Sequence, residues 1–192
     1  MGVNLTKGQK ISLAKEADHP LDRVFMGLGW DAAQKGGFFG RLMGSGDIDL
    51  DASCVMFDAD KQPVDVVYFG QLASKDGSVR HSGDNLTGEG DGDDEIINVI
   101  LSNVPDTIHY LVFTVSSYRG QTFDEVANAY CRLVDDRNQE IARYTISGGG
   151  SFTAMIMAKL YRHNGEWKMH AVGESMSGTT VADMINPIRS IL

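Results

Sequence analysis

The chain has 192 residues and is 42% hydrophobic, enough for one well-cored domain, 1–192, and short for two. Its net charge of −9 and the lack of any basic stripe argue against phosphate-backbone contacts, so no nucleic-acid partner is expected. No window approaches the roughly 18 apolar residues of a membrane span.

Met1 to Pro20 carries Lys, Glu, Asp and His where a signal peptide needs an apolar core, which points to the cytoplasm. Met1 to Thr6 fits the loose myristoylation pattern, but Val3-Asn4-Leu5-Thr6 reads more simply as an alternating first strand. Val3 to Leu13 is then a strand-turn-strand element around Lys7-Gly8. Val24 to Trp30 is a buried strand ending at Asp31, followed by a glycine-rich loop, Gly36 to Gly46, that carries Phe38, Phe39, Leu42 and Met43. Ile48 to Phe57 and Val64 to Phe69 are strands joined by a turn at Asp58-Ala59-Asp60-Lys61. Lys75 to Ser78 is a turn, and Asp84 to Glu95 a long acidic loop with glycines at 88, 90 and 92. Ile96 to Leu101 and Ile108 to Ser116 read as paired strands separated by Pro105-Asp106. Thr122 to Ala127 reads as one helical turn capped by Thr122. Cys131 to Val134 and Ile141 to Ile146 flank a hairpin turn, as do Ala154 to Arg162 and Trp167 to Val172 around Asn164-Gly165. Thr179 to Ile185 offers a short helix before Pro187.

About ten short strands at regular spacing predict an all-β fold, a β-sandwich of two packed antiparallel sheets with one or two short helices and its Asp-rich loops gathered at the sandwich ends. Cys54 and Cys131 lie in strand-like apolar runs without metal-ligand spacing and read as buried free thiols.

The acidity is concentrated. Six of the 26 acidic residues fall between Asp84 and Glu95, and four more are Asp31, Asp47, Asp49 and Asp51, which leaves 16 acidic against 17 basic residues elsewhere. Calcium takes six to eight oxygen ligands, and the stretch Asp84 to Glu95 supplies carboxylates, an amide and glycines that let backbone carbonyls turn inward. Asp47, Asp49 and Asp51 alternate with Ile48 and Leu50, so a strand turns three carboxylates to one face and two aliphatics to the other. Carboxylates held this close repel one another unless a cation joins them. The loop has the length of an EF-hand but not its content: Leu86 and Gly88 stand where carboxylates are needed, and Glu89 stands where Gly is.

These residues also carry a family resemblance. Val3-Asn4-Leu5-Thr6-Lys7-Gly8, Gly27-Leu28-Gly29-Trp30-Asp31, Asp49-Leu50-Asp51-Ala52-Ser53, His81-Ser82-Gly83-Asp84-Asn85 and Gly90-Asp91-Gly92-Asp93-Asp94-Glu95 resemble, in order and spacing, the bacterial TerD family. Arg132-Leu133-Val134, Ala142-Arg143-Tyr144 and Leu160 to Lys168 extend the match. The resemblance implies a calcium-binding β-sandwich associated with tellurite resistance and chemical-stress responses, acting near the membrane with other products of its operon. It places Asp31, Asp49, Asp51, Asp84, Asn85, Asp93, Asp94 and Glu95 at the acidic motif positions, with Asp47 and Asp91 joining them, for two calcium ions. Leu86 departs from the Arg that many members have there, and Gly36 to Gly46 looks longer and more apolar than is usual.

The residues are compatible with three functions. The first is a calcium-dependent module that contacts partner proteins of a stress-resistance system, in the cytoplasm and at the inner face of the membrane, with Phe38, Phe39, Leu42 and Met43 in its contact surface. The second is a C2-like calcium-dependent lipid binder. The third is a metal-assisted enzyme acting on toxic oxyanions; no Ser-His-Asp or Cys-His pattern supports it, so no catalytic residue is assigned and the chain is read as a non-enzyme.

Overall fold

A computed structural model describes residues 2–32, 49–83, 92–146 and 149–192, the side chains of residues 31 and 32 excepted. The chain begins with β1 (Val3–Leu5), β2 (Lys10–Ser12), the single-turn helix α1 (Leu13–Glu16) and β3 (Arg23–Ala32). It continues with β4 (Leu50–Asp58), β5 (Pro63–Val67), β6 (Val79–His81), β7 (Glu95–Ile100) and β8 (Ile108–Ser117). The last strands are β9 (Val126–Asp135), β10 (Glu140–Thr145), β11 (Ala154–His163) and β12 (Glu166–Met176), and helix α2 (Val181–Ile191) closes the fold.

The strands form two six-stranded sheets packed as the predicted sandwich, in the orders β1-β10-β9-β3-β7-β6 and β2-β12-β11-β8-β4-β5. Between them lies a core that includes Met26, Leu28, Trp30, Leu50, Cys54, Met56, Phe113, Leu133 and Leu160. The outer face of the second sheet is apolar too: Val55, Phe57, Val112, Ile156 and Val172 lie under Met184 and Ile188 of α2. β4 is therefore buried on both faces, which explains why its alternation fades after Asp51.

Local chemistry sets the hairpins. Asn164 and Gly165 both adopt positive φ, 53° and 79°, as a two-residue primed turn between β11 and β12 requires. In the β9–β10 turn, Asp135 Oδ1 accepts hydrogen bonds from the backbone N–H groups of Arg137 and Gln139, and Asn138 takes the left-handed position at φ 60°.

Four expectations need correction. The strands around 96–101 and 108–116 do not pair: β7 joins β3 and β6, whereas β8 joins β4 and β11. A single 3-10 turn at Leu101–Asn103, with Pro105 beyond it, carries the chain from one sheet to the other. β1 lies parallel to β10, so the first sheet is mixed. Thr122 precedes a 3-10 turn at Phe123–Glu125 but makes no side-chain cap. Finally, α2 runs through Pro187, because the burial of Met184 and Ile188 outweighs the backbone hydrogen bond that a proline deletes.

Candidate metal centre

The end of β3, the start of β7, the start of β4 and the end of β8 meet at one end of the sandwich. Antiparallel pairing sets Leu28 opposite Glu95 and Asp51 opposite Ser116. A side-chain contact then ties the two sheets: β5 first pairs with β4 at Cys54, so the Ala52 N–H lies beyond that ladder and donates to Glu95 Oε2 instead.

Three acidic neighbours in sequence go to three different places. Both Asp93 oxygens are held by Arg132, Oδ1 by Nε at 2.8 Å and Oδ2 by Nη2 at 3.0 Å. The Tyr130 hydroxyl donates to Gly92 O at 2.8 Å and lies 3.2 Å from Asp93 Oδ1. The Asp93 carboxylate rests directly over Gly27, where a Cβ would overlap it. Around this pair, Arg143 stacks on the Tyr130 ring at 4.1 Å and binds Glu140 at 2.8 Å. That bond from Arg143 holds the Glu140 carboxyl below its ordinary range, and the Asp93 bond raises the Arg132 guanidinium. Burial, followed by the Asp93 charge, raises the Tyr130 hydroxyl.

Asp94 continues the β3–β7 ladder. Its N–H donates to Leu28 O at 2.7 Å, and its Oδ2 accepts the Trp30 N–H at 2.8 Å, one residue before Asp31. Glu95 is fully buried. Besides the Ala52 N–H, it meets His81 Nε2 at 3.3 Å. His81 Nδ1 accepts the Gly83 N–H, so the ring proton sits on Nε2, facing Glu95.

On β4, Leu50 enters the inter-sheet core, and Asp51 follows on the opposite side of the strand. Asp49 and Asp51 are only 4% and 5% exposed. Asp49 Oδ2 lies 3.3 Å from Arg119 Nε, and its carbonyl accepts the Tyr118 N–H. Phe69 and Tyr118 are exposed beside this end and meet edge to face at 5.8 Å.

The predicted set is thus split. Asp94 and Glu95 lie where β7 meets β3 and β4, Asp49 and Asp51 lie at the start of β4 with Asp51 on the face turned away from the inter-sheet core, and Asp93 is engaged by Arg132. Asp31 belongs to β3 by its backbone. Asp47, Asp84, Asn85 and Asp91, and the apolar loop with Phe38, Phe39, Leu42 and Met43, lie outside the described residues. Among the described residues, the carboxylates of this end do not by themselves gather three ligand atoms within 4.8 Å of one another. Their donors are nonetheless all oxygen, the chemistry that calcium prefers. Sequence reasoning assigned no role to Tyr130, Arg132, Arg143 or Glu140. The signal was the alternation in β9, where Tyr130 and Arg132 interleave with the buried Cys131 and Leu133.

Neither thiol is poised to react: burial raises both, that of Cys131 to about 12. Among the described residues no helix is long and apolar enough to cross a membrane.

The TerD domain matches positions 1–187. Tellurium resistance protein TerZ of Serratia marcescens is 49% identical over 98% of this chain and 97% of its own length. Tellurium resistance protein TerD of the same organism is 43% identical over 93% of each chain. Stress response protein SCP2 of Bacillus subtilis is 42% identical over 97% of this chain and 98% of its own. A solved structure of a homologue of telluride resistance protein (TerD) from Streptomyces coelicolor shares the fold, with a TM-score of 0.67, 21% identity, and coverage of 88% of this chain and 98% of that one.

Proposed function

We propose, from the premise that this chain belongs to the TerD family, that it is a calcium-binding module that works by calcium-dependent contact with partner proteins of a tellurium- and stress-resistance system at the membrane. The observation that carries this reading is the burial of Asp49, Asp51 and Glu95, each no more than 5% exposed, where the ends of both sheets meet. Buried like charges destabilise a fold unless they are compensated. A divalent cation compensates carboxylates and at the same time binds the two sheets to the acidic loops.

In this reading Asp49, Asp51, Asp94 and Glu95 form the scaffolded part of the oxygen set. Asp31, Asp47, Asp84, Asn85 and Asp91 complete it for two ions, and Asp93 ties the entry to β7 to β9 through Arg132. Calcium supplies charge neutralisation and cross-linking, with no covalent chemistry asked of it. The exposed Phe69 and Tyr118 rings, linked through Arg119 to Asp49, fit a contact surface whose shape depends on the ion. The names of the relatives, which concern tellurium resistance and stress response, support the biological setting.

The test is calorimetric calcium titration of chelator-stripped protein, with thermal melts of the wild type and of Glu95→Gln and Asp51→Asn, each with and without calcium. Saturable binding with a calcium-dependent rise in melting temperature, diminished in both variants, is expected. Absence of binding at millimolar calcium overturns the reading. Sedimentation with anionic liposomes in calcium distinguishes a protein partner from direct, C2-like lipid binding.

A further inference from the structure

The other end of the first sheet holds a different cluster. Val24, near the start of β3, pairs with Asp135 at the end of β9. Trp30 lies six residues further along β3, so this cluster is roughly 20 Å of strand away from the acidic end. His19, in the segment joining α1 to β3, reaches the β9–β10 turn. Its Nδ1 lies 2.8 Å from Asp18 Oδ1, and its Nε2 lies 2.7 Å from Asp136 Oδ1 and 3.9 Å from Asp135 Oδ2.

We propose that His19 Nε2, Asp135 and Asp136 form a site for a divalent transition cation such as Zn2+, with Asp18 orienting the imidazole. Three features carry the proposal. Among the described residues this is the group of three potential ligands whose ligand atoms all lie within 4.8 Å of one another. A carboxylate on Nδ1 orients the ring so that Nε2, once an ion displaces its proton, faces Asp135 and Asp136, the arrangement in which metal-binding histidines are commonly held. Third, the Asp135 side chain is 3% exposed, and its two oxygens differ. Oδ1 accepts two backbone N–H groups, which turns Oδ2 toward His19 Nε2, 3.9 Å away and beyond hydrogen-bond length.

An imidazolium bridging Asp18 and Asp136 holds these groups together in the absence of an ion; an ion at Nε2 would take its place and draw in Asp135 Oδ2 as a third ligand. Seen from a metal about 2.1 Å from each ligand, the two Nε2–oxygen separations subtend about 80° and about 135°. That open-sided arrangement leaves positions for water. One imidazole and two carboxylates suit zinc-type ions better than calcium, which takes oxygen ligands throughout. Asp18 and His19 also line a cleft of about 490 Å³ with Leu13, Leu21, Leu101 and Trp167. Once bound, the ion would tie the α1–β3 segment to the β9–β10 turn.

This site does not depend on the calcium reading, and the experiment keeps the two apart. Protein held in millimolar calcium, so that the all-oxygen sites are filled, is titrated with Zn2+ by calorimetry and with Co2+ by visible absorption. The expected result is one Zn2+ per chain, a Co2+ ligand-field band, and a Zn2+-dependent rise in melting temperature. His19→Gln should lose all three. Asp18→Asn should weaken affinity roughly 10–100-fold while leaving the stoichiometry intact. Melts in chelator show whether the variants fold. No Zn2+ binding at millimolar concentration, or unchanged affinity and stoichiometry in His19→Gln, overturns the proposal.

Discussion

Gly27→Ala tests how the acidic segment is anchored. Gly27 lies in the middle of β3 between Arg132 of β9 and Ile96 of β7, and a methyl group there would occupy the space of the Asp93 carboxylate. The substitution should therefore expel Asp93 from its two-pronged contact with Arg132. A charge-assisted hydrogen bond contributes about 1.5–3 kcal/mol net. The Asp93 side chain is 3% exposed and Arg132 keeps Glu140 as a second partner at 3.5 Å, so a loss of about 2–3 kcal/mol follows. Replacing a strand glycine by alanine returns about 0.5–1 kcal/mol, leaving a net destabilisation of about 2 kcal/mol. For a chain of this size that lowers the melting temperature by roughly 4–8 °C in chelator. The decisive measurement is the double-mutant cycle with Asp93→Ala: once the carboxylate is gone, the methyl group has nothing to displace. Gly27→Ala should then be neutral or slightly stabilising. An unchanged melting temperature in the single variant, or equal costs in both backgrounds, refutes the mechanism.

Acid should destabilise the metal-free protein through particular carboxylates. Glu140, lowered by Arg143, and Asp183, lowered by the Thr179 N–H and by Thr180, both have depressed folded-state pKa values. In Asp65 burial acts upward, but bonds from the Lys75 N–H, the Gln71 amide and the Val66 N–H outweigh it. The stability these groups contribute is complete above their ordinary values of 3.8 and 4.5 and drains away as pH falls through the lower folded values. Melts in chelator should accordingly fall once the pH drops below the ordinary carboxylate range, with a shallower fall in Glu140→Gln; no fall there, or an equal fall in the variant, contradicts this. Ile188→Ala empties a fully buried position under α2 and should cost about 2–5 kcal/mol by denaturant unfolding. A loss under about 0.5 kcal/mol would mean that α2 is not what covers the second sheet. Cys54 and Cys131 should resist a thiol reagent in the native state and both react on unfolding; rapid native labelling of either contradicts their burial.

Much of the sandwich was legible because strand signals are local. Asn164-Gly165 announced its hairpin by the one backbone geometry that such a pair favours, and Val24 to Trp30 carried a run of apolar residues and glycines that only a buried strand accommodates. The pairing of β7 with β3 was not legible. Ile96 to Leu101 and Ile108 to Ser116 are near neighbours in sequence, and the 3-10 turn that sends them to opposite sheets leaves little trace beyond Pro105. The helix through Pro187 was hidden for a related reason, since it packs not only on Ile156 and Val172 but on Val55, Phe57 and Val112, residues more than 70 positions away from Pro187.

Acidic residues that cluster in sequence do not all face one ion in the fold. Asp93, Asp94 and Glu95 look like one ligand group on the page, yet a chain entering a strand turns successive side chains in different directions. Arg132 takes the first, the Trp30 N–H the second, and the Ala52 N–H with His81 the third. Density of acidic residues therefore overstates how many of them can face one ion. It also understates sites assembled across the fold. His19 and Asp136 lie 117 residues apart, with nothing in their separate surroundings to link them, and meet only because β3 pairs with β9 and the turn at Asp135 folds back over that pairing. The end of the sandwich that is rich in acid and the end that joins one histidine to two aspartates thus make different demands on chemistry. Oxygen ligands alone select a hard cation such as calcium, whereas a nitrogen among them moves the preference toward zinc. A single chain carrying both could hold two kinds of ion without competition between them.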